Sequence, residues 1–249
     1  MKCSDAKISR IEAGKHSTAP SDVLALLDIY GVADRAIRDL LATLAKQSSQ
    51  RGWWVTHGSA VPDWFEVFVG LESEAAQTRV VETHLVPGLL QTAAYAKELI
   101  RTTQPLAPAE EVSRLVELRM ARQRRLGEDK PPQLRVVLGE ASIRCRVGGP
   151  ETMRDQLLHL AETAERPTVE VRVVRFASPA YAAFARPFHI LTFTDPTDPG
   201  LVYTEHRTGA LYIDDPSQIA SFALAFDHLV GAALSCEESL RLIREEAGS

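Results

Sequence analysis

Val169-Glu170-Val171-Arg172-Val173 alternates apolar with charged side chains. That period of two sets one face of a strand on a core and the other toward water. Working outward from it, Leu134-Arg135-Val136-Val137-Leu138 reads as a second strand, Phe188 to Thr194 as a third, Leu201 to His206 as a fourth and Ala210 to Ile213 as a short fifth. Asp195-Pro196-Thr197-Asp198-Pro199-Gly200 joins two of them with residues that favour a turn. Around these strands the apolar period lengthens to that of helices. Pro150 to Ala164 carries Met153, Leu157, Leu160 and Ala161 on one face, and helices are predicted near 216–233 and 235–246, the last capped by Ser235. Ahead of the strands the pattern is helical from Trp64 to about Thr83, from Leu89 to Ile100 after a break at Pro87-Gly88, and from Pro108 to Leu126. The predicted fold class is α+β, with a helical N-terminal part, a helical segment and a small, mostly antiparallel sheet flanked by helices.

The chain has 249 residues, 45% of them hydrophobic and 24% charged, which suits a folded chain with a full core. A net charge of −5 excludes an overall basic field for nucleic acid. Cys3, Cys145 and Cys236 are scattered, with no ligand-like spacing, and His57, His84, His159, His189 and His206 share no metal-site pattern. No metal or cofactor is therefore expected. Apolar runs fall short of the roughly 18–20 residues that span a bilayer, and no signal-peptide layout opens the chain. A cytoplasmic protein with no membrane partner is the expectation.

The N-terminal residues 1–50 read as helical. Residues 4–13 form a short helix capped by Ser4 or Asp5 and ended at Gly14, with Ile8 and Ile11 turned inward and Lys7, Ser9 and Arg10 outward. A second helix starts at Pro20-Ser21-Asp22 and stops at Gly31, and a third covers 33–49. Residues 51–63, with Trp53 and Trp54 adjacent, read as a docked linker, and 64–249 as one α+β domain.

Two sets of residues carry a resemblance. Ile8-Ser9-Arg10-Ile11-Glu12-Ala13-Gly14-Lys15 with the helix ending Asp28-Ile29-Tyr30-Gly31 is similar to the second half of lambda-repressor-type helix-turn-helix domains. Val86-Pro87-Gly88-Leu89-Leu90-Gln91-Thr92, Glu72-Ser73-Glu74, Arg119-Met120-Ala121-Arg122-Gln123, Gly139-Glu140-Ala141, Val147-Gly148-Gly149-Pro150 and Val202-Tyr203-Thr204-Glu205 resemble the domain of unknown function that follows the helix-turn-helix in many actinobacterial regulators. The resemblance implies a cytoplasmic transcriptional regulator whose C-terminal domain binds a small-molecule effector or a small co-encoded partner protein. Homodimerisation is expected because such readers pair half-sites. Family members carry two further helices ahead of Ser4, so impaired or absent DNA binding is the expectation for this chain.

Lys7, Ser9 and Arg10 are the candidate DNA contacts, to phosphates and base edges. The plainer reading of that helix is packing alone. Glu140, Tyr203, Glu205, Arg119, Arg122 and Arg144 are the candidate ligand-binding residues. Tyr203 and Glu205 alternate onto one side of a strand. Glu140 and Glu205, if they face one cavity, would hold a cationic or polyhydroxylated ligand. As an alternative they would share acid and base roles in a biosynthetic enzyme of cyclase or isomerase type, in an aromatic-lined pocket. Against both stands a structural reading, in which arginines pair with the two glutamates. The arginine-rich helix around Arg114, Arg119, Arg122, Arg124 and Arg125 reads first as a solvated face, and Pro87 to Thr92 as structural, with its leucine pair packed inward.

Overall fold

The computed structural model describes residues 8, 19–35, 37–38, 41, 62–183, 186–195, 197–206 and 208–248. The chain divides after Val55 into two compact units.

In the first unit, α1 (Pro20–Ile29) opens with proline, whose fixed φ suits a first helical position, and buries Leu26 and Leu27. Gly31, at φ +71°, ends the run as expected. Arg38 then ties the following turn together through Asp28 at 2.7 Å and the Val32 carbonyl at 3.0 Å. Lys7, Ser9 and Arg10, the linker tryptophans and most of the predicted 33–49 helix lie outside the described residues.

The second unit runs α2 (Asp63–Glu74), β1 (Gln77–Glu82), a 3-10 turn (Gly88–Leu90), α3 (Ala93–Thr103), α4 (Ala109–Gln123), β2 (Gln133–Gly139), α5 (Ala141–Arg144), α6 (Gly149–Thr163), β3 (Val169–Val174), β4 (Phe188–Thr192), β5 (Leu201–His206), β6 (Gly209–Ile213), α7 (Pro216–Ala232) and α8 (Cys236–Ala247). One six-stranded sheet has the order β3-β2-β1-β4-β5-β6. The three strands β1, β2 and β3 are parallel, and β4, β5 and β6 continue the sheet antiparallel. The α+β reading holds, and three of the five pairings are antiparallel.

β1 is the main departure from the sequence reading, which ran one helix from 64 to 83. The helix stops at Glu74, Ala75 turns extended, and Thr78-Arg79-Val80-Val81 enters the middle of the sheet between β2 and β4. A central strand is apolar on both faces, so β1 has no clean alternation to read. The predicted helix at 89–100 likewise becomes the 3-10 turn, two extended residues and then α3, because Thr92 caps α3 by accepting from the Tyr95 amide at 3.2 Å.

Residues directly opposite one another across the ladders share a face of the sheet. Val80, His189 and Tyr203 form one row of the face covered by α2, α3, α6 and α8. Val81 and Phe188 belong to the other face, where α7 lays Ile219, Phe226 and Leu229 over Val137, Ile190 and Val202. At one edge, the Val173 amide donates to the Ser239 hydroxyl at 2.9 Å and its carbonyl accepts from the Leu234 amide at 2.9 Å. The β3 edge is covered there rather than left open. Ser235 caps α8 as expected, in a reciprocal box with Glu238.

Candidate functional site

The carboxyl ends of the three parallel strands and of β5 lie along one edge of the sheet, since β5 runs in the same direction as β1. β1 connects onward to β2 on one side and has antiparallel β4 on the other. The sheet changes there from parallel to antiparallel pairing. Extending the register by one residue from Val81–Phe188 and by two from His189–Tyr203 puts Glu82 and Glu205 level with Pro187 between them. Both belong to the face of Val80 and Tyr203, two strand spacings or about 10 Å apart. Glu82 is half-buried and Glu205 exposed.

α4 and the Val86–Thr92 loop bring further polar groups near these glutamates. Arg122 is buried and grips Glu72 of α2 through two bonds, at 2.7 and 2.8 Å, while its guanidinium lies 5.2 and 5.4 Å from the rings of Phe65 and Phe68. One helical turn earlier, Arg119 donates to Gln91 Oε1 at 2.7 Å. Gln91 in turn donates to the Val86 carbonyl, and Gln123 donates to the carbonyls of Gly88 and Gln91. Gln156 reaches across from α6 to the Thr92 amide and the Leu90 carbonyl. The Pro87–Thr92 run is therefore a loop pinned by three glutamines, and its Leu89 and Leu90 are buried as the sequence suggested.

Charge is unevenly balanced here. Burial, and then the Glu205 carboxylate, push Glu82 up to about 8 against the opposing Thr83 amide and Arg119. Burial, and then neighbouring Arg122, pull Arg119 down to about 10, with Glu205, Tyr95 and Glu72 opposing. Burial works against the charge of Arg122 as well, but Glu72 outweighs it and holds that guanidinium above its ordinary value. Tyr203 donates to Glu205 at 3.1 Å, and burial together with that carboxylate raises its phenol. His189, in the row beneath, is driven down to about 4 by burial, so its ring is neutral at pH 7. Its Nδ1 is buried with no hydrogen-bond partner among the described residues.

Four of the six predicted ligand residues, Arg119, Arg122, Tyr203 and Glu205, thus fall in one electrostatically linked cluster. Glu140 and Arg144 do not join them. In the order β2-β1-β4-β5, three strand spacings, about 14 Å, separate the strand ends that carry Glu140 and Glu205. Gly139 lets the chain turn there: a Cβ on it would stand 2.7 Å from the Thr83 carbonyl oxygen. Glu140 follows in helical conformation and accepts from Arg144 at 2.8 Å and from the Phe176 amide at 2.7 Å, with Arg175 at 3.8 Å. Burial would raise this carboxyl, but those donors outweigh it and hold Glu140 below the ordinary carboxylate range. Arg144 also pairs with Glu246 at 2.9 Å, beside a cavity of about 490 Å³ lined in part by Ile143, Met153 and Leu157. Glu140 follows the structural reading, with Arg144 as its partner.

Glu82 is the residue that sequence reasoning missed, because the segment was read as helix. The signal available was the β-branched run Thr78, Val80 and Val81 before it.

A family model described as "Domain of unknown function (DUF5753)" matches residues 65–245, and one described as "Helix-turn-helix domain" matches residues 1–41. The chain belongs to the DUF5753 family. The Arg119 cluster and the Glu140 corner both lie inside the matched residues, and the chain has the layout of a transcription-regulator-like protein, a helix-turn-helix domain followed by a domain of unknown function. No curated protein and no solved structure matches it. No single helix among the described residues is long and apolar enough to cross a membrane.

Proposed function

We propose that this protein is a transcriptional regulator whose DUF5753 domain senses a small-molecule effector at the cluster of Glu82, Arg119 and Glu205. The observation that carries the reading is that cluster, set where the sheet changes from parallel to antiparallel pairing, in a chain whose first residues match a helix-turn-helix domain. The DNA contacts of the proposal are Lys7, Ser9 and Arg10. The enzyme alternative drew on Glu140 together with Glu205, and the separation of their strand ends gives that pairing no support.

Selection of duplexes from a random-sequence pool by the full chain tests the regulatory half. The expected result is enrichment of one motif and loss of its binding in K7A/R10A, with a shallower salt dependence in the variant. No enrichment, or equal binding by the variant, rejects it. The affinity measured in the same experiment also decides whether DNA binding is impaired, as the sequence alone led us to expect.

A further inference from the structure

We propose that the cavity of about 490 Å³ between α5, α6 and α8 binds a small organic carboxylate with an apolar body. None of the residues that line it belongs to the Arg119 cluster, so this site stands or falls apart from the effector reading above.

The local chain shapes the cavity. Gly148 and Gly149, at φ +72° and +88°, carry the chain from α5 into α6 through a left-handed turn that side chains with a Cβ rarely adopt. The end of α5 and the first turns of α6 form two sides, and the last turn of α8 a third. Ile143, Met153, Leu157 and Ala247 make an apolar floor, and all four are buried members of the main core. The volume of about 490 Å³ lies within the range of about 300–1,000 Å³ usual for small-molecule sites.

The rim selects the sign of the occupant. Arg144, Arg146, Arg154, Glu151 and Glu246 are its charged residues. Arg144 is engaged, bonded to Glu140 at 2.8 Å and to Glu246 at 2.9 Å. Among the described residues, Arg154 pairs only with its exposed neighbour Asp155, at 3.4 Å, and neither Arg146 nor Glu151 has an ion pair. Two guanidiniums then stand against one carboxylate. The first turn of α6, which lines the cavity through Pro150 and Glu151, adds the positive end of a helix dipole, and its cap Gly148 brings no side chain to satisfy the amides. A guanidinium presents parallel N–H donors that a carboxylate accepts in pairs. An apolar body on the floor and a carboxylate at Arg146 and Arg154 therefore satisfy both parts of the cavity, which neither a bare anion nor a neutral apolar molecule does.

The test is titration calorimetry on the full chain with octanoate, octanol, octylammonium and acetate. Octanoate is expected to bind, octanol about tenfold more weakly, and octylammonium and acetate more weakly still. Changing Arg146 and Arg154 together to Gln should lower octanoate affinity about tenfold and leave octanol unchanged. Both positions are exposed, so the fold tolerates the change. Glu151→Gln should act in the opposite sense and raise octanoate affinity about two- to fivefold. Arg119→Gln should leave octanoate binding as in the parent.

Octanol bound as tightly as octanoate, or octanoate bound equally well by R146Q/R154Q, overturns the inference. So does loss of octanoate in Arg119→Gln, which would put the anion at the Arg119 cluster and count for the effector reading instead. Binding of octylammonium alone reverses the sign assigned to the rim, and binding of none of the four probes removes the site. Either of these overturns the inference and leaves the effector reading untouched.

Discussion

Two corners at the carboxyl edge of one sheet each hold a glutamate, and they differ in what surrounds it. At the end of β2, Glu140 has Arg144, the Phe176 amide and Arg175 around its two oxygens. Beside it in the sheet, Glu82 at the end of β1 has the Thr83 amide and Arg119 to offset its burial, and Glu205 adds a second carboxylate. One corner is saturated, so its carboxyl is held below the usual range and its role is to fasten β2 to α5 and the start of the 176 segment. The other has no such donors around its oxygens, so burial and the Glu205 carboxylate raise it. The comparison shows that burial of a carboxylate does not by itself mark a site. A buried one without strong donors is the better candidate.

The comparison is most exposed to failure at the Glu72–Arg122 pair beside Arg119, with both side chains about 6% exposed. Removing one member leaves an unpaired buried charge, so Arg122→Ala should destabilise the fold by about 3–5 kcal/mol in chemical denaturation. The double variant Glu72→Leu/Arg122→Met should recover most of that loss. A single variant that costs under about 1 kcal/mol would mean that this part of the fold does not depend on the pair.

Next in size is the saturated corner. Glu140→Gln should cost about 1.5–3 kcal/mol in chemical denaturation, the range for a buried charge-assisted bond. A loss under about 0.5 kcal/mol would mean that Arg144 and the Phe176 amide do not hold this corner, and the contrast would be lost.

The pH dependences of the two corners should have opposite signs. Glu140 is depressed when folded, so its contribution to stability is present above the ordinary carboxylate value and lost as pH falls through its lower folded value. Glu82 is raised, so its contribution is present below about pH 4.5 and lost as pH climbs toward about 8. The Tm of Glu82→Gln minus that of the parent should therefore increase with pH across that window, while the difference for Glu140→Gln should become more negative from acid toward neutral pH. Parallel curves for the two variants would erase the distinction.

The smallest effect is expected at Arg175. It is half-exposed and 3.8 Å from Glu140, so Arg175→Ala should change stability by about 0–1 kcal/mol, because Arg144 and the Phe176 amide already satisfy the carboxylate. A larger loss would make Arg175, not Arg144, the chief partner.

Much of this molecule is local, and that part was legible. Alternation at Val169 to Val173 gave β3, the apolar spacing of Met153, Leu157 and Leu160 gave α6, and a serine before an acidic turn gave α8. Each depends on residues within one or two turns of chain, where period and capping act. Tyr203 and Glu205 could be placed on one side of a strand for the same reason, and they touch. β1 was not legible. Val80 and Val81 are apolar toward opposite faces, and only the strands on either side decide that the segment extends rather than coils.

What the sequence determined by itself is therefore the α+β class, the helix-turn-helix likeness of the first residues and the chemistry of the individual candidates: carboxylates, arginines and a tyrosine. Tertiary structure decided which of them meet. Strand order put two strands between Glu140 and Glu205 and one between Glu82 and Glu205, and α4 carried Arg119 and Arg122 to the second pair. The physical reason is that pairing across a sheet joins residues far apart in the chain. Charge balance depends on distances of a few ångströms that no local pattern encodes.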